Sequence, residues 1–369
     1  MKYYIVSGEA SGDLHGSNLM RELKMLDNSA EFRVWGGDLM EQQGGVIAKH
    51  YRDLAFMGFV EVVQNLRIIL KNLSFCRDDI IKYKPDVVIL IDYPGFNLKI
   101  AKYAKQSGFK VYYYISPTLW AWRKSRINII KKYVDKMFVI LPFEKEFYKS
   151  LEYDVDFVGH PLLDSIAEKI WDTEQFKSEF CKSNEKIICL LPGSRKQELE
   201  RILPVMLNLV GYYPDYQFII GGAPGLDKDF YSNFVKGMNI PVIFNRMHEL
   251  LASSEAAVVT SGTATLEAAL FKVPEVVCYK GGAISFFIAK IVANVNFISL
   301  PNLIMEKAIV KELIQKSMTL ENVKKELDEI LFNRKYHSEM IANYDILNQK
   351  LGGKGASEKL AKKIFSSLS

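Results

Sequence analysis

A chain of 369 residues is longer than one hydrophobic core comfortably serves and suits two domains of ordinary size. With 49% hydrophobic and 25% charged residues, the composition excludes a disordered or low-complexity scaffold. The net charge of +5, from 48 Lys and Arg against 43 Asp and Glu, is too mild to demand nucleic acid and suits an anionic partner or surface.

Cys76, Cys181, Cys189 and Cys278 lie far apart without a C-x-x-C pair, so neither a disulfide framework nor a zinc site is expected, and a reducing cytosol fits. The first strand-like run begins at Met1 with no basic leader or cleavage pattern. No apolar stretch approaches the roughly 18 residues that span a bilayer, so any membrane contact is expected to be peripheral.

In chain order, Tyr3–Val6 reads as a strand, followed by a Gly/Ser/Asp-rich turn and a helical pattern from about Leu14 to Leu26. Further strands are predicted at Phe32–Trp35, Val87–Ile91, Val111–Ile115, Met137–Ile140 and Asp156–Val158, mostly with helices between them. Around Glu168–Lys186 the chain turns polar, and the plan restarts with strands at Ile187–Leu191, Gln217–Ile220, Val242–Phe244, Ala257–Thr260 and Glu275–Tyr279. After Pro301 the pattern reads as helix to the end, interrupted at Gly352–Gly353 before a last helix at about Ala356–Ser367. Near-continuous apolar strands alternating with helices predict parallel sheets covered on both faces. The expected fold class is α/β, with two Rossmann-like domains, residues 1–167 and 168–345, facing a cleft. A tail, 346–369, is expected to carry its helix back to the first domain.

Open parallel sheets hold ligands beyond the carboxyl ends of their strands, so the loops there are the candidates for chemistry. The first, Ser7–Gly16, offers small residues at a helix start; Glu9, Ser11, Gly12, Asp13 and His15 could face a ligand, or Asp13 could simply cap the helix. Its spacing is not G-x-G-x-x-G, which disfavours a dinucleotide oxidoreductase. Asp92, directly after an apolar strand, is a candidate general base for removing the proton of an attacking sugar hydroxyl, with Glu9 and His15 next in line; a turn aspartate is the plainer alternative. Ser116–Arg123 places Trp120, Trp122 and Arg123 after a strand, suiting a pocket for an amphipathic ligand.

In the second half, Leu191–Glu198 combines Gly193, Ser194 and Arg195 at a predicted helix N-terminus, where amides, dipole and guanidinium favour a phosphate. Ser261, Gly262 and Thr263 form a second such cradle, and Glu267 could accept two hydrogen bonds from ribose hydroxyls or merely complement the helix dipole. Two cradles in one domain point to a nucleoside diphosphate. Phe56, Met57, Phe59, Val62, Val63, Leu66, Ile69 and Leu70, interrupted by Arg67 and Lys71, together with the five cations of Arg123–Lys132, suit an anionic bilayer; a buried helix beside a solvated basic face explains the same pattern.

Taken together in order, SGEASGD at Ser7–Asp13, WGGD at Trp35–Asp38, MGFVEV at Met57–Val62, DYPGFN at Asp92–Asn97, YYISPTLWAWR at Tyr113–Arg123, GHPLLD at Gly159–Asp164, LPGSRKQE at Leu191–Glu198, SGTATLEAAL at Ser261–Leu270 and SLPNLI at Ser299–Ile304 resemble the lipid-A-disaccharide synthase family. The resemblance implies the GT-B glycosyltransferase fold, with the nucleotide on the second domain and the acceptor on the first. It implies transfer of 2,3-diacylglucosamine from UDP to 2,3-diacylglucosamine 1-phosphate, with inversion, at the inner face of the cytoplasmic membrane of a Gram-negative bacterium, and without a metal or cofactor. Carried over position by position, Ser194, Arg195, Thr263 and Glu267 would hold UDP, with Asn302 and, in the following helix, Gln315 nearby. Ser11, Gly12, Asp13, Asn97, Trp120, Trp122 and Arg123 would face the acceptor. The family pattern carries an aspartate where this chain has Gly95. Outside the family, the residues leave open another UDP-sugar enzyme of this architecture, such as an epimerase or a transferase with a soluble acceptor, and a nucleotide-binding membrane adaptor without catalysis.

Overall fold

The computed structural model describes residues 1–54, 66–120, 124–167, 170–182, 185–223, 225–281 and 296–368. The chain divides into two compact units, one of Met1–Asp164 with Leu351–Ser369 and one of Ser165–Lys350. Each is built on one sheet whose paired strands are all parallel.

The first sheet contains β1 (Lys2–Val6), β2 (Glu31–Gly36), β3 (Val46–His50), β4 (Val87–Ile91), β5 (Lys110–Tyr114), β6 (Lys136–Val139) and β7 (Asp156–Phe157), in the order β3-β2-β1-β4-β5-β6-β7. Its central strand shows why the sequence reads as a continuous apolar run. In β4, Val88 and Leu90 enter one core with Trp35 and Phe96, while Val87, Ile89 and Ile91 enter the opposite core with Leu19 and Leu23. All five residues are buried, because helices cover both faces.

The C-terminal helix, Ala356–Leu368, lies on that second face: Leu360, Ala361 and Ile364 join the core beside Ile5 and Val34, and the helix packs along Ala10–Leu26. Its amino end is held by Asp164, which accepts hydrogen bonds from the amides of Gly355 (2.7 Å), Ala356 (3.3 Å) and Ser357 (3.0 Å). A carboxylate there satisfies amides that the helix itself leaves free and meets the positive end of its dipole. The GHPLLD motif thereby gains a structural task, since the His160 amide also donates to the Leu351 carbonyl at 3.1 Å.

The second sheet repeats the plan with β8 (Lys186–Leu191), β9 (Tyr216–Gly221), β10 (Val242–Ile243), β11 (Ser254–Thr260), β12 (Glu275–Tyr279) and β13 (Lys311–Ile314), in the order β10-β9-β8-β11-β12-β13. Two strands differ from the pattern expected of the sequence. β3 was not anticipated, and the region after Pro301 is not continuous helix: a short helix, Leu300–Met305, is followed by β13, a 3-10 turn at Gln315–Ser317 and then two longer helices. Both missed strands pair on one side only, β3 with β2 and β13 with β12. Each mixes charged residues into a short run, which hides the strand pattern. In both sheets the chain reverses its strand order beside the first strand, between β1 and β4 and between β8 and β11. Those switch points are where open α/β sheets hold ligands. No helix among the described residues is long and apolar enough to cross a membrane.

Candidate active site

The second unit carries a pocket of about 380 Å³ at its switch point. Leu191, Gly221, Thr260 and Tyr279, at the carboxyl ends of four strands, line its base, and Gly193, Ser194, Arg195, Gly262, Thr263 and Glu267 line its rim. The loop after β8 turns at Gly193 with φ +94°, a left-handed conformation that glycine adopts without penalty; a side chain there would also crowd the methyl of Thr260 at 3.2 Å. Ser194 and Arg195 are exposed beyond it. The Arg195 side chain is 79% exposed and pairs with Glu198 at 3.2 Å, an exposed pair that a ligand can replace at little cost.

Two helix amino ends meet this pocket, Lys196–Leu207 and Thr263–Leu270, and neither has a side-chain cap. Their first amides, aligned dipoles and the Arg195 guanidinium are the chemistry that could receive an anion. Ser261 is spent differently, its hydroxyl donating to the Ile298 carbonyl at 2.8 Å. Glu267 lies one turn into the second helix, and its Oε1 sits 3.8 Å from Nε2 of His248. Burial is the main cause that raises the Tyr279 hydroxyl above its ordinary pKa, and the Glu198 carboxylate adds to it while Arg195 opposes. His248 and Tyr279 had no signal in the sequence reading, since both come from other strands and helices than the cradle motifs.

Asn302 does not line the pocket and acts as a fastener within its own segment. Its Nδ2 donates to the Val310 carbonyl and to Glu312, both at 2.9 Å, and its Oδ1 accepts from the amides of Ile309 (2.7 Å) and Val310 (3.0 Å). Every polar valence of this buried side chain is used within the protein. Gln315 lies not in an α-helix but at the start of the short 3-10 helix after β13, with φ +53°, and its Nε2 is buried without a hydrogen-bond partner among the described residues.

In the first unit the two loops of the switch point interlock. The Tyr93 ring occupies the space a side chain at Gly8 would need, 2.5 Å from its Cβ position, so the loop after β1 and the loop after β4 pack directly on each other. Asn97 is fully buried, and its Nδ2 donates to the carbonyls of Asp92 (2.8 Å), Ile91 (3.1 Å) and Val6 (3.3 Å), tying the ends of β4 and β1 together. Tyr113 adds a second bond to the Asp92 carbonyl at 2.6 Å. Held this way, Asp92 and Tyr93 both sit at left-handed φ, +46° and +48°. Such conformations are costly for side chains other than glycine and persist where the surroundings over-determine them.

The Asp92 side chain reaches solvent. Burial around its base, followed by the Glu9 carboxylate, raises its pKa to about 6, while the Tyr93 amide pulls the other way. Glu9 and Ser11 are exposed, and Glu9 precedes the helix Ala10–Leu26 without capping it. Gly12 is buried against Ser7. Asp13 is buried and accepts from the amides of Gly37 (2.7 Å), Leu39 (3.1 Å) and Met40 (3.1 Å), so its carboxylate serves the start of the helix Asp38–Gln42. His15 faces inward, edge-on to Tyr114 with ring centroids 6.4 Å apart. Its Nδ1 is buried with no hydrogen-bond partner among the described residues, and burial pushes its pKa down to about 4 against the pull of Asp164.

Trp120 is half-buried and edge-on to Phe143 at 5.2 Å; Trp122 and Arg123 lie outside the described residues. The loop leading to Trp120 rests on Glu144, unnoticed in the sequence. This buried carboxylate accepts from Ser116 Oγ at 2.6 Å and from the Leu141 amide at 3.0 Å, and burial raises its pKa to about 7 despite those bonds. Phe56, Met57, Phe59, Val62 and Val63 lie outside the described residues, and Leu66 is described only as the start of the helix Leu66–Tyr83. Further along it, Leu70 is 54% exposed, while Ile69 packs partly on the core.

A larger groove of about 580 Å³ opens among Lys2, Phe32, Arg33, Val46 and Tyr83, at the amino ends of the first sheet's strands. That is the end away from the switch point, and Arg33 there is already paired with Asp79 through two 2.8 Å bonds.

Two sheets of Rossmann-like order with loops gathered at each switch point define an α/β protein of the GT-B class, the architecture of nucleotide-sugar epimerases and glycosyltransferases. Among solved structures, the UDP-GlcNAc 2-epimerase from Neisseria meningitidis bound to UDP-GlcNAc superposes with a TM-score of 0.73 over 99% of this chain and 100% of that one, at 15% identity. The calicheamicin glycosyltransferase CalG4 gives 0.61 over 100% and 98%, at 13% identity. Likeness at that level speaks for the fold. The sequence pattern described as lipid-A-disaccharide synthetase matches residues 3–365. The lipid-A-disaccharide synthases of Trichlorobacter lovleyi and Syntrophus aciditrophicus are 36% and 38% identical, over 98% and 97% of this chain and 96% and 95% of theirs. The chain belongs to the lipid-A-disaccharide synthase family, glycosyltransferases of lipid A biosynthesis.

Proposed function

We propose that this chain transfers 2,3-diacylglucosamine from its UDP derivative to 2,3-diacylglucosamine 1-phosphate, giving a β(1→6) disaccharide 1-phosphate and UDP. The observation that carries the donor half is the pocket of about 380 Å³, where Ser194, the exposed Arg195 and two uncapped helix amino ends converge. Cleavage of the bond between the sugar anomeric carbon and the diphosphate leaves negative charge on UDP. Arg195 and the oriented amides stand ready to take that charge without reorganising, which lowers the barrier. Glu267 is the acceptor for the ribose hydroxyls.

Asp92 is the base. Its carboxylate removes the proton of the acceptor's 6-hydroxyl as that oxygen bonds to the anomeric carbon from the side opposite UDP, inverting the configuration. A left-handed Asp92, pinned by Asn97 and Tyr113, holds its carboxylate in place, and a pKa raised to about 6 suits a base working near neutrality. Gly95 does not supply this role, although a side chain there would meet nothing within 4 Å. Glu9, exposed beside Asp92, and Ser11 flank the acceptor. Peripheral attachment to the inner face of an anionic membrane is supported by the exposed Ile68, Leu70, Phe75 and Ile81 on the helix Leu66–Tyr83, close to Arg67 and Lys71.

The test is incubation of the purified chain with both lipid substrates, followed by mass spectrometry. Disaccharide 1-phosphate and UDP in equal amounts are expected. Hydrolysis or epimerisation of the donor, with no disaccharide, would move the chain to another UDP-sugar reaction.

A further inference from the structure

Glu267 does not stand alone. Nε2 of His248 lies 3.8 Å from its Oε1, and both side chains are about one-quarter exposed. The imidazole itself is held by rings on two sides: Trp171 meets it edge-on with centroids 5.3 Å apart, and Phe271 meets it at 5.3 Å and 44°. Trp171 and Phe271 also contact each other, at 5.9 Å, closing a three-ring cluster around the histidine. Phe271 is the residue that ends the helix carrying Glu267, and His248 is the second residue of the helix Met247–Ser253, whose Met247 lines the pocket. The carboxylate is thus met by a side chain from a neighbouring helix.

We propose that His248 is a positioning residue that orients the Glu267 carboxylate toward the ribose diol of a nucleoside diphosphate. This rests on the reading of Glu267 given above. A glutamate side chain on a helix surface has several rotamers, and a carboxylate aligned with two vicinal hydroxyls needs one of them. The imidazole nitrogen beside Oε1 selects that rotamer while leaving lone pairs on both oxygens for the ligand. The ring cluster in turn denies the imidazole other orientations.

The experiment measures the affinity of the full chain for UDP and for 2′-deoxy-UDP by calorimetry, because only the first presents both hydroxyls. His248→Phe keeps an aromatic ring between Trp171 and Phe271, and is expected to weaken UDP about five-fold while leaving 2′-deoxy-UDP nearly unchanged, so that the preference between them shrinks. His248→Gln, which returns a donor nitrogen, should restore most of the preference. Should the phenylalanine variant not fold, His248→Met carries the same readout. Glu267→Gln separates the two layers of the argument. If it keeps the wild-type preference, Glu267 is not the diol acceptor and the reading beneath the proposal is wrong. If it loses the preference while His248→Phe keeps it, only the positioning role of His248 is overturned.

Discussion

The two units place loops at equivalent switch points but use their polar residues differently. In the second unit, Ser194, Arg195 and Thr263 project to solvent around uncapped helix ends. In the first, Ser7, Asp13 and Asn97 are buried and bonded to backbone groups, and only a few side chains, Glu9, Ser11 and Asp92 among them, reach outward. Motifs of similar look therefore answer two physical demands. A phosphate, as proposed for the second unit, needs unspent donors, whereas the left-handed Asp92 and Tyr93 need neighbours that hold the chain where it would not rest by itself.

Substitutions can break this contrast. The largest effect is expected for Asp92→Asn, with transfer falling by roughly 10²–10⁴-fold while UDP binding stays at wild-type strength; kinetics beside calorimetry would show it, and activity near wild type would send the base role elsewhere. In the same assay, wild-type kcat/KM should fall as pH drops through about 6, because protonation removes the base, and this acid limb lies above the usual carboxylate range. Arg195→Ala is expected to lower kcat/KM by about 10²-fold and to weaken UDP as well. Unchanged UDP affinity would remove it from the donor site.

Asp13→Ala should leave the second unit's UDP affinity alone but destabilise the chain by roughly 2–3 kcal/mol, since three amides lose a charged acceptor in a buried place. Thermal and denaturant unfolding would measure it, and a loss confined to acceptor KM would mean that Asp13 serves ligand and not fold. The smallest effect sharpens the contrast by pH. Glu144 has a folded pKa raised to about 7, so the folded state binds an extra proton between its ordinary value of 4.5 and 7, and stability should decline across that window as pH rises. Glu144→Gln should flatten this decline, which chemical denaturation at several pH values can follow.

The sheets were largely legible in sequence because β4, and β8 after its exposed Lys186, are covered on both faces and need apolar residues throughout. Edge strands carry no such requirement. Lys311 and Glu312 fit β13 because it has one neighbour, and Glu312 uses its place to accept from Ile298, Ser299 and Asn302. The glycine turn at Gly193 and the helix start after Arg195 were readable because they are local devices. The contacts of Asn97 and His248 were not, since their partners come from distant segments.

Sequence alone thus determined the layered α/β plan, the family and the loops that could meet a nucleotide, all properties of short-range pattern and residue chemistry. Tertiary structure alone decided which motif residues remain unspent. A side chain's hydrogen-bonding capacity is finite, and whether backbone amides or a ligand receive it depends on which elements the fold brings alongside.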